Sequence, residues 1–335
     1  MKPAPDDRSA AGRAGLNRVR IAAAINAQTK PPGSLGALEP LMAQIAATQG
    51  TLRPVLGQAH MLLFGADHGG GVSAYPRAVT AAMMANIASG GAAISVLCRA
   101  HGIALHVVDA GVDWDAPPAG VIARGVARGT RDMLAGPAMT AAQCRRAKQA
   151  GAALVAALPA ADRVLGFGEM GIGNTTAAAC ITQAITGIDA VGRGTGVTGA
   201  ALARKRRVVR AALALHSGAD PLAAMGGFEI AMMTGAMQQA AREGRIIVVD
   251  GFVATAAWLA ARPRARLLAH SVFAHVSAER AHRAVLRALG LRPLLDLEMR
   301  LGEGSGAALA IPLVLSAAAL LREMASFDSA GIPDA

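Results

Sequence analysis

Aromatic side chains are scarce: the 335 residues include six Phe, two Trp and one Tyr, 3% of the chain. Proteins that track single-stranded nucleic acid stack bases on flat rings, so this scarcity argues against a nucleic-acid partner despite a formal net charge of +11. The one dense basic cluster is Arg204, Lys205, Arg206, Arg207 and Arg210, and such runs commonly form a solvated helix face. Acidic groups are also few, 22 Asp and Glu against 33 Lys and Arg, a balance that suits small anionic substrates. Cys98, Cys144 and Cys180 are far apart and form no C-x-x-C pair. An odd count without an apolar leader points to free thiols in a reducing compartment, and a cytoplasmic protein is expected. The eight histidines show no H-x-x-x-H or H-E-x-x-H spacing, so neither a metal nor another cofactor is expected. No G-x-S-x-G elbow occurs, which removes the serine hydrolase reading.

What the chain has in quantity is aliphatic: 53% of it is hydrophobic. A core of Ala, Val, Leu, Ile and Met suits close helix–sheet packing. The longest uncharged run, GSGAALAIPLVLSAAALL from residue 304, is at the lower edge of the length that spans a bilayer. It is solitary, contains Pro312 and lacks an aromatic belt, so we expect a buried helix and no membrane span.

A pattern recurs along the chain. A short apolar run ends at glycine or a carboxylate, and a helical segment follows. The runs are HMLLFGADHGG with Asp67, IALHVVDAG with Asp109, RVLGFGEMG with Glu169, RIIVVDGF with Asp250, and ARLLAHSVF near 265–273. Helices are expected near 16–29, 37–47, 78–99, 140–157, 174–186, 200–216, 229–242, 252–261 and 279–289. Residues 1–15 read as a loose tail, and 113–140 as a long excursion from the sheet. Alternation of this kind predicts an α/β fold with a mainly parallel sheet flanked by helices. Ligands then bind at the carboxyl ends of the strands. The four strand-end acids are expected to face one crevice, one or two of them acting as helix caps.

Two motifs carry chemistry. GFGEMGIGNTT, residues 166–176, resembles a P-loop in which Asn174 replaces the lysine and Glu169 adds a negative charge. Its glycines and the helix that follows offer backbone N–H groups to an anion. Without the lysine a monophosphate fits better than a triphosphate, with Glu169 turned toward sugar hydroxyls or a cationic ring. In MRLGEGSGAALA, residues 299–310, Glu303 stands between Gly302 and Gly304 at the mouth of the apolar run. Desolvation raises the pKa of such a carboxylate and suits it to act as a base near neutral pH. A helix-start glutamate with no chemical role fits the same spacing. Asp67 and His68 in GADHGG invite an acid–base reading as well.

Taken with TKPPGSLGALE, ADHG, GVSAYP, VVDAGVD, GRGTG, GGFEIAMMTGAM and VVDGF, these motifs resemble the nicotinate-nucleotide–dimethylbenzimidazole phosphoribosyltransferase family, in consistent order over roughly 16–325. The resemblance implies a Rossmann-like sheet over about 55–290, a smaller helical part built from both chain ends (about 16–50 and 291–325), and a homodimer. It implies transfer of phosphoribose from nicotinate mononucleotide to 5,6-dimethylbenzimidazole, with inversion at C1′, in assembly of the cobalamin lower ligand. By position it makes Glu303 the general base and Glu169 an electrostatic partner of the ribose. It puts Gly171, Gly173, Asn174, Thr175, Lys205, Ser277 and Arg300 at the nucleotide, and Tyr75, Met83 and Leu301 at the base. The alternatives are a different acceptor, such as a phenol or adenine, or a non-catalytic nucleotide-binding relative.

Overall fold

Near-continuous aliphatic runs bury both faces of a strand, and here they build one sheet. The computed structural model describes residues 16–194 and 196–333; the expected tail, 1–15, lies outside them. The strands are β1 (Ala59–Ala66), β2 (Ala104–Gly111), β3 (Val121–Ala123), β4 (Val164–Met170), β5 (Ile246–Val249) and β6 (Ser271–Phe273). All pairings are parallel and the order is β3-β2-β1-β4-β5-β6. Every residue of β1 is buried. The chain steps outward from β1 to β3, then returns to lay β4 on the other side of β1. That reversal is a topological switch point, and ligands of such sheets bind at the carboxyl ends of the strands; here a crevice is lined from the carboxyl ends of β4, β5 and β6.

Helices cover the sheet much as the periodicity predicts, with three departures. The expected helix over 78–99 is two, Val79–Ala88 and Ala93–Ala100. Gly90, at φ +91°, breaks it in a conformation that other residues rarely adopt. The expected strand over 265–273 is a helix, Arg264–His270, followed by only the three residues of β6. A short apolar stretch cannot choose between the two periods, and Pro263 at the N-cap favours helix entry. The excursion over 113–140 hides β3, three residues pairing with β2 at the sheet edge, too short to announce itself among prolines and glycines.

Helices Ala141–Ala156 and Phe228–Arg242 touch backbone to backbone. A methyl group on Gly151 would sit 1.9 Å from the Met232 carbonyl oxygen, and one on Gly235 would sit 2.0 Å from that of Lys148. Thr140 and Gln143 start the first of these helices with a reciprocal capping box. Cys98, Cys144 and Cys180 are buried and unpaired.

The described residues form two compact units, one comprising Gly57–Ile311 and the other 16–56 with 312–333. Residues 291–311 thus belong to the larger unit. In the smaller unit, helices Arg18–Asn26 and Leu38–Gln49 flank the turn of TKPPGSLGALE. Glu39 accepts from Lys30 Nζ at 2.7 Å and from the N–H groups of Gly33 and Leu35 at 3.1 Å each. The Lys30 hydrogen bond holds the Glu39 carboxyl below its usual range, so this motif is the fastening of a turn.

Candidate functional site

β4 delivers Glu169 to the switch point, and the glycine-rich turn then starts helix Asn174–Thr186. Gly171 lies so close to β1 that a methyl group there would come 2.5 Å from the Ala66 carbonyl oxygen. Gly173 makes the turn at φ +95° and caps the helix. The turn is tied down by Ile172 N–H donating to Thr80 Oγ1 at 3.1 Å. Asn174, at the position of a P-loop lysine, donates its Nδ2–H to Glu169 Oε2. The residue that looked like a lost cation is the amide partner of the loop's carboxylate.

The second motif meets the first directly. Gly302, Glu303 and Gly304 are consecutive left-handed residues, at φ 84°, 62° and 86°. A methyl group on Gly168 would lie 2.4 Å from the Glu303 carbonyl oxygen, and one on Gly302 would lie 2.5 Å from Glu169 Oε1. The glycines of GFGEM and RLGEG therefore exist to let the two turns touch, which brings Glu169 and Glu303 into one pocket. Glu303 is 5% exposed. It accepts the Ile94 N–H, at the start of helix Ala93–Ala100, and its Oε2 is buried without a partner among the described residues. Burial, and then the charge of Asp250, push its pKa up against the Ile94 bond. Glu169 is held well above the usual carboxylate range by burial and by Asp250, with smaller pushes from Glu229 and Glu303, while the Asn174 amide opposes them.

A crevice of about 650 Å³, counted to its open mouth, runs along these turns. Its lining includes Glu169, Gly171, Asn174, Thr175, Ser277, Arg300, Leu301 and Glu303, so most of the expected residues converge. Lys205 lies one layer back, fully buried. Its Nζ donates to Thr175 Oγ1 at 2.8 Å and would lie 3.2 Å from a methyl group on Gly194, which lines the crevice. Burial lowers its pKa to about 8, with the Glu279 charge opposing. Gly173 is not part of the lining; it faces Gly71 and His68. Tyr75 and Met83 are not part of it either. Tyr75 is 54% exposed, and the inward residue of its neighbouring helix is Met84, packed on Gly65. Leu301 stands at the mouth, 58% exposed.

Of the four strand-end acids only Glu169 and Asp250 line the crevice, which corrects the expectation that all four face it. Asp67 accepts Asp113 N–H at 2.8 Å. Asp109 accepts Val112 N–H at 2.8 Å and Trp114 Nε1–H at 3.0 Å. Both fasten the segment after β2, a backbone demand that strand position alone does not reveal. His68 is bound to Glu229 at 2.7 Å, both buried behind the glycine turn.

His275 and Glu279, which are not among the site residues expected from the sequence, line the crevice with Ser277. They follow β6 as Glu169 ends β4, and the strand-end rule finds them once β6 is placed at 271–273. His282 sets this segment: its Nδ1 accepts Ser277 N–H at 2.9 Å and its Nε2 lies 2.9 Å from Thr255 Oγ1. Burial, helped by His275, lowers its pKa to about 3, so the ring is neutral and free to accept.

A parallel sheet with a glycine-rich turn at its switch point, an N-terminal helix end and a set of buried acids defines an α/β protein with a ligand site at the strand ends. Comparison with known proteins makes this specific. The phosphoribosyltransferase family profile matches residues 17–332. The nicotinate-nucleotide–dimethylbenzimidazole phosphoribosyltransferase of Cupriavidus necator is 53% identical over 333 residues, 95% of this chain and 96% of its own. That of Ralstonia nicotianae is 52% identical over 330 residues, 94% and 93% of the two chains. The crystal structure of CobT from Thermus thermophilus superposes with a TM-score of 0.89 at 42% identity, covering 95% of this chain and 99% of that one. The chain belongs to this phosphoribosyltransferase family and is a pentosyltransferase.

Proposed function

We propose that the protein transfers 5-phosphoribose from nicotinate mononucleotide to 5,6-dimethylbenzimidazole, giving α-ribazole 5′-phosphate and nicotinate. The observation that carries the reading is Glu303: a buried carboxylate with one unpartnered oxygen, held in the crevice between two glycines. The reaction needs one base and no acid. The C1′–N bond to the pyridinium breaks and its electron pair neutralises the ring, so nicotinate leaves without a proton. A benzimidazole nitrogen forms the new bond to C1′ from the opposite face, and the proton on its other nitrogen passes to Glu303. A base with a raised pKa accepts that proton best near neutral pH.

Glu169 serves the other half of the reaction. Cationic charge sits first on the pyridinium and then, in an oxocarbenium-like transition state, on the ribose. An adjacent carboxylate in a water-poor site stabilises that charge. We assign the phosphate to the part of the crevice lined by Thr175, with Lys205 behind it, Ser277 and Arg300, at the start of helix Asn174–Thr186. A monophosphate is matched there by backbone dipole and one buried ammonium. We assign Leu301 to the acceptor side. We take the active form to be a homodimer, which light scattering in solution tests.

The test is incubation with nicotinate mononucleotide and dimethylbenzimidazole, following α-ribazole phosphate by chromatography. Absence of product at micromolar enzyme overturns the reading. Competition with adenine and a phenol ranks the acceptors.

A further inference from the structure

Asp250 follows β5, is 2% exposed and borders the crevice, yet its nearest partners belong to the chain around Glu303. Its Oδ1 accepts Ala307 N–H at 2.9 Å, from 57 residues away in sequence. The N–H groups of Gly304 and Gly306 also donate to it. These are the opening N–H groups of helix Ser305–Glu323, which lack carbonyl partners in their own helix. Asp250 is thus an N-cap supplied from another strand. The turn it fastens is the one with three successive left-handed residues, and Glu303 is the member that is not glycine. A side chain in that conformation persists only where its surroundings hold it.

We propose that Asp250 is the positioning residue for Glu303: its carboxylate clamps the turn over residues 304–307 so that Glu303 projects into the crevice, and its charge strengthens Glu303 as a base. This rests on the base role proposed above. Four other groups bear on the clamp. Glu169 approaches from β4. His275, after β6, places Nε2 3.8 Å from Asp250 Oδ1. Gly306 packs on the His275 ring so closely that a methyl group would lie 2.1 Å from Cδ2. Arg300 lines the same crevice from Glu303's own segment, and Ile94 N–H meets the Glu303 carboxylate from helix Ala93–Ala100. Asp250 is thus a like charge, beside Glu303, that also holds its backbone. Burial raises the Asp250 pKa, opposed by His275 and by the three N–H groups, and Asp250 in turn raises that of Glu303.

Two substitutions separate clamp from charge. Asp250→Asn keeps an acceptor for Ala307 N–H and removes the charge; Asp250→Ala removes both. With ¹³C-labelled glutamate, and Glu303→Gln to assign its signal, the Glu303 carboxylate is titrated by NMR in the ligand-free protein. The expected result is a midpoint lower by about half a pH unit or more in Asp250→Asn, as when a like charge is withdrawn. An unchanged or higher midpoint overturns the charge half whether or not the wild type makes α-ribazole phosphate. In steady state, Asp250→Ala loses about 100-fold in kcat, the scale of an ångström-level misplacement, with nucleotide KM changed by less than about threefold and Asp250→Asn losing less. If Asp250→Ala and Asp250→Asn lose turnover equally while both fold, the clamp is overturned; should Asp250→Ala not fold, Asp250→Val, which also lacks an acceptor, replaces it with the same criterion. A wild type without activity overturns the proposed reaction, and the NMR titration still decides the charge.

Discussion

Glu303 adopts a left-handed backbone that costs a residue with a side chain about 1–2 kcal/mol, and Asn in its place would adopt it more readily. That a glutamate stands there is explained by where its carboxylate ends up: buried, with Oε2 unpartnered and its proton affinity raised by burial and Asp250. Glu303→Gln keeps the size and removes the proton acceptor. We expect kcat to fall by about 10²–10⁴, the usual worth of a positioned base, while nucleotide KM shifts less than about threefold; full turnover would end the base role. Lys205 gives the complementary test at the phosphate end. Lys205→Met keeps the buried stem and removes the ammonium, leaving Thr175 Oγ1 without its 2.8 Å donor. A charge-assisted hydrogen bond contributes about 1.5–3 kcal/mol, so nucleotide KM should rise about tenfold or more with little change in kcat. An unchanged KM would place the phosphate elsewhere.

Between elements, the deciding contacts are made by glycine. In a helix interior, Gly→Ala ordinarily stabilises by about 0.5–1 kcal/mol. At Gly151 the sign should reverse, because the new methyl would lie 1.9 Å from the Met232 carbonyl oxygen, and helices Ala141–Ala156 and Phe228–Arg242 would have to separate. Overpacking of this kind costs about 1–3 kcal/mol, to be read as a lower urea midpoint at constant m; an unchanged or higher midpoint would show that the helices slide apart freely. The strands were legible because parallel strands buried on both faces read as unbroken aliphatic runs, and Glu169 and Asp250 marked their ends. The contact of Gly168 with Glu303 was not legible. Each motif taken alone is a glycine-rich turn, and only the fold shows that one turn rests on the other. Asp67, Asp109 and Asp250 look alike at their strand ends. They diverge because the first two meet N–H groups of the loop after β2, whereas Asp250 meets the opening N–H groups of a helix. Lys30 and Glu39, within the TKPPGSLGALE stretch, fasten a turn.

At the scale of the whole molecule, buried charge near the site ties stability to pH, and the sign follows from which state holds the proton more tightly. Glu169, Asp250 and Glu303 all have folded-state pKa values above the usual 4.5 for Glu or 3.8 for Asp, with burial the first cause. The stability they contribute is therefore complete below those usual values and is lost as pH rises through the folded ones. Burial also disfavours the charged His68 ring, but the attraction and hydrogen bond of Glu229 outweigh it and raise its pKa. That contribution is lost as pH climbs past the usual 6.5. Other groups pull the opposite way. Burial lowers the pKa of His106, His270 and His282, which favours unfolding in acid below about 6.5. The hydrogen bonds of Glu39 to Lys30 and Asp162 to His60 lower their pKa values, and that stability is lost in stronger acid. Because these contributions overlap, a single variant isolates one of them. Glu169→Gln resembles the protonated acid at every pH and still meets the Asn174 amide. We expect its Tm to match the wild type near pH 4.5 and to exceed it increasingly toward pH 8, where the wild type must either ionise a buried carboxyl or hold its proton against the solvent. Each kcal/mol of that difference reads as about 2–4 °C or somewhat less in a chain this long. A Tm difference that stays flat from pH 4.5 to 8 would mean that Glu169 ionises as easily in the fold as in water, and the carboxylate cluster would then be no reservoir for the positive charge of a pyridinium nucleotide.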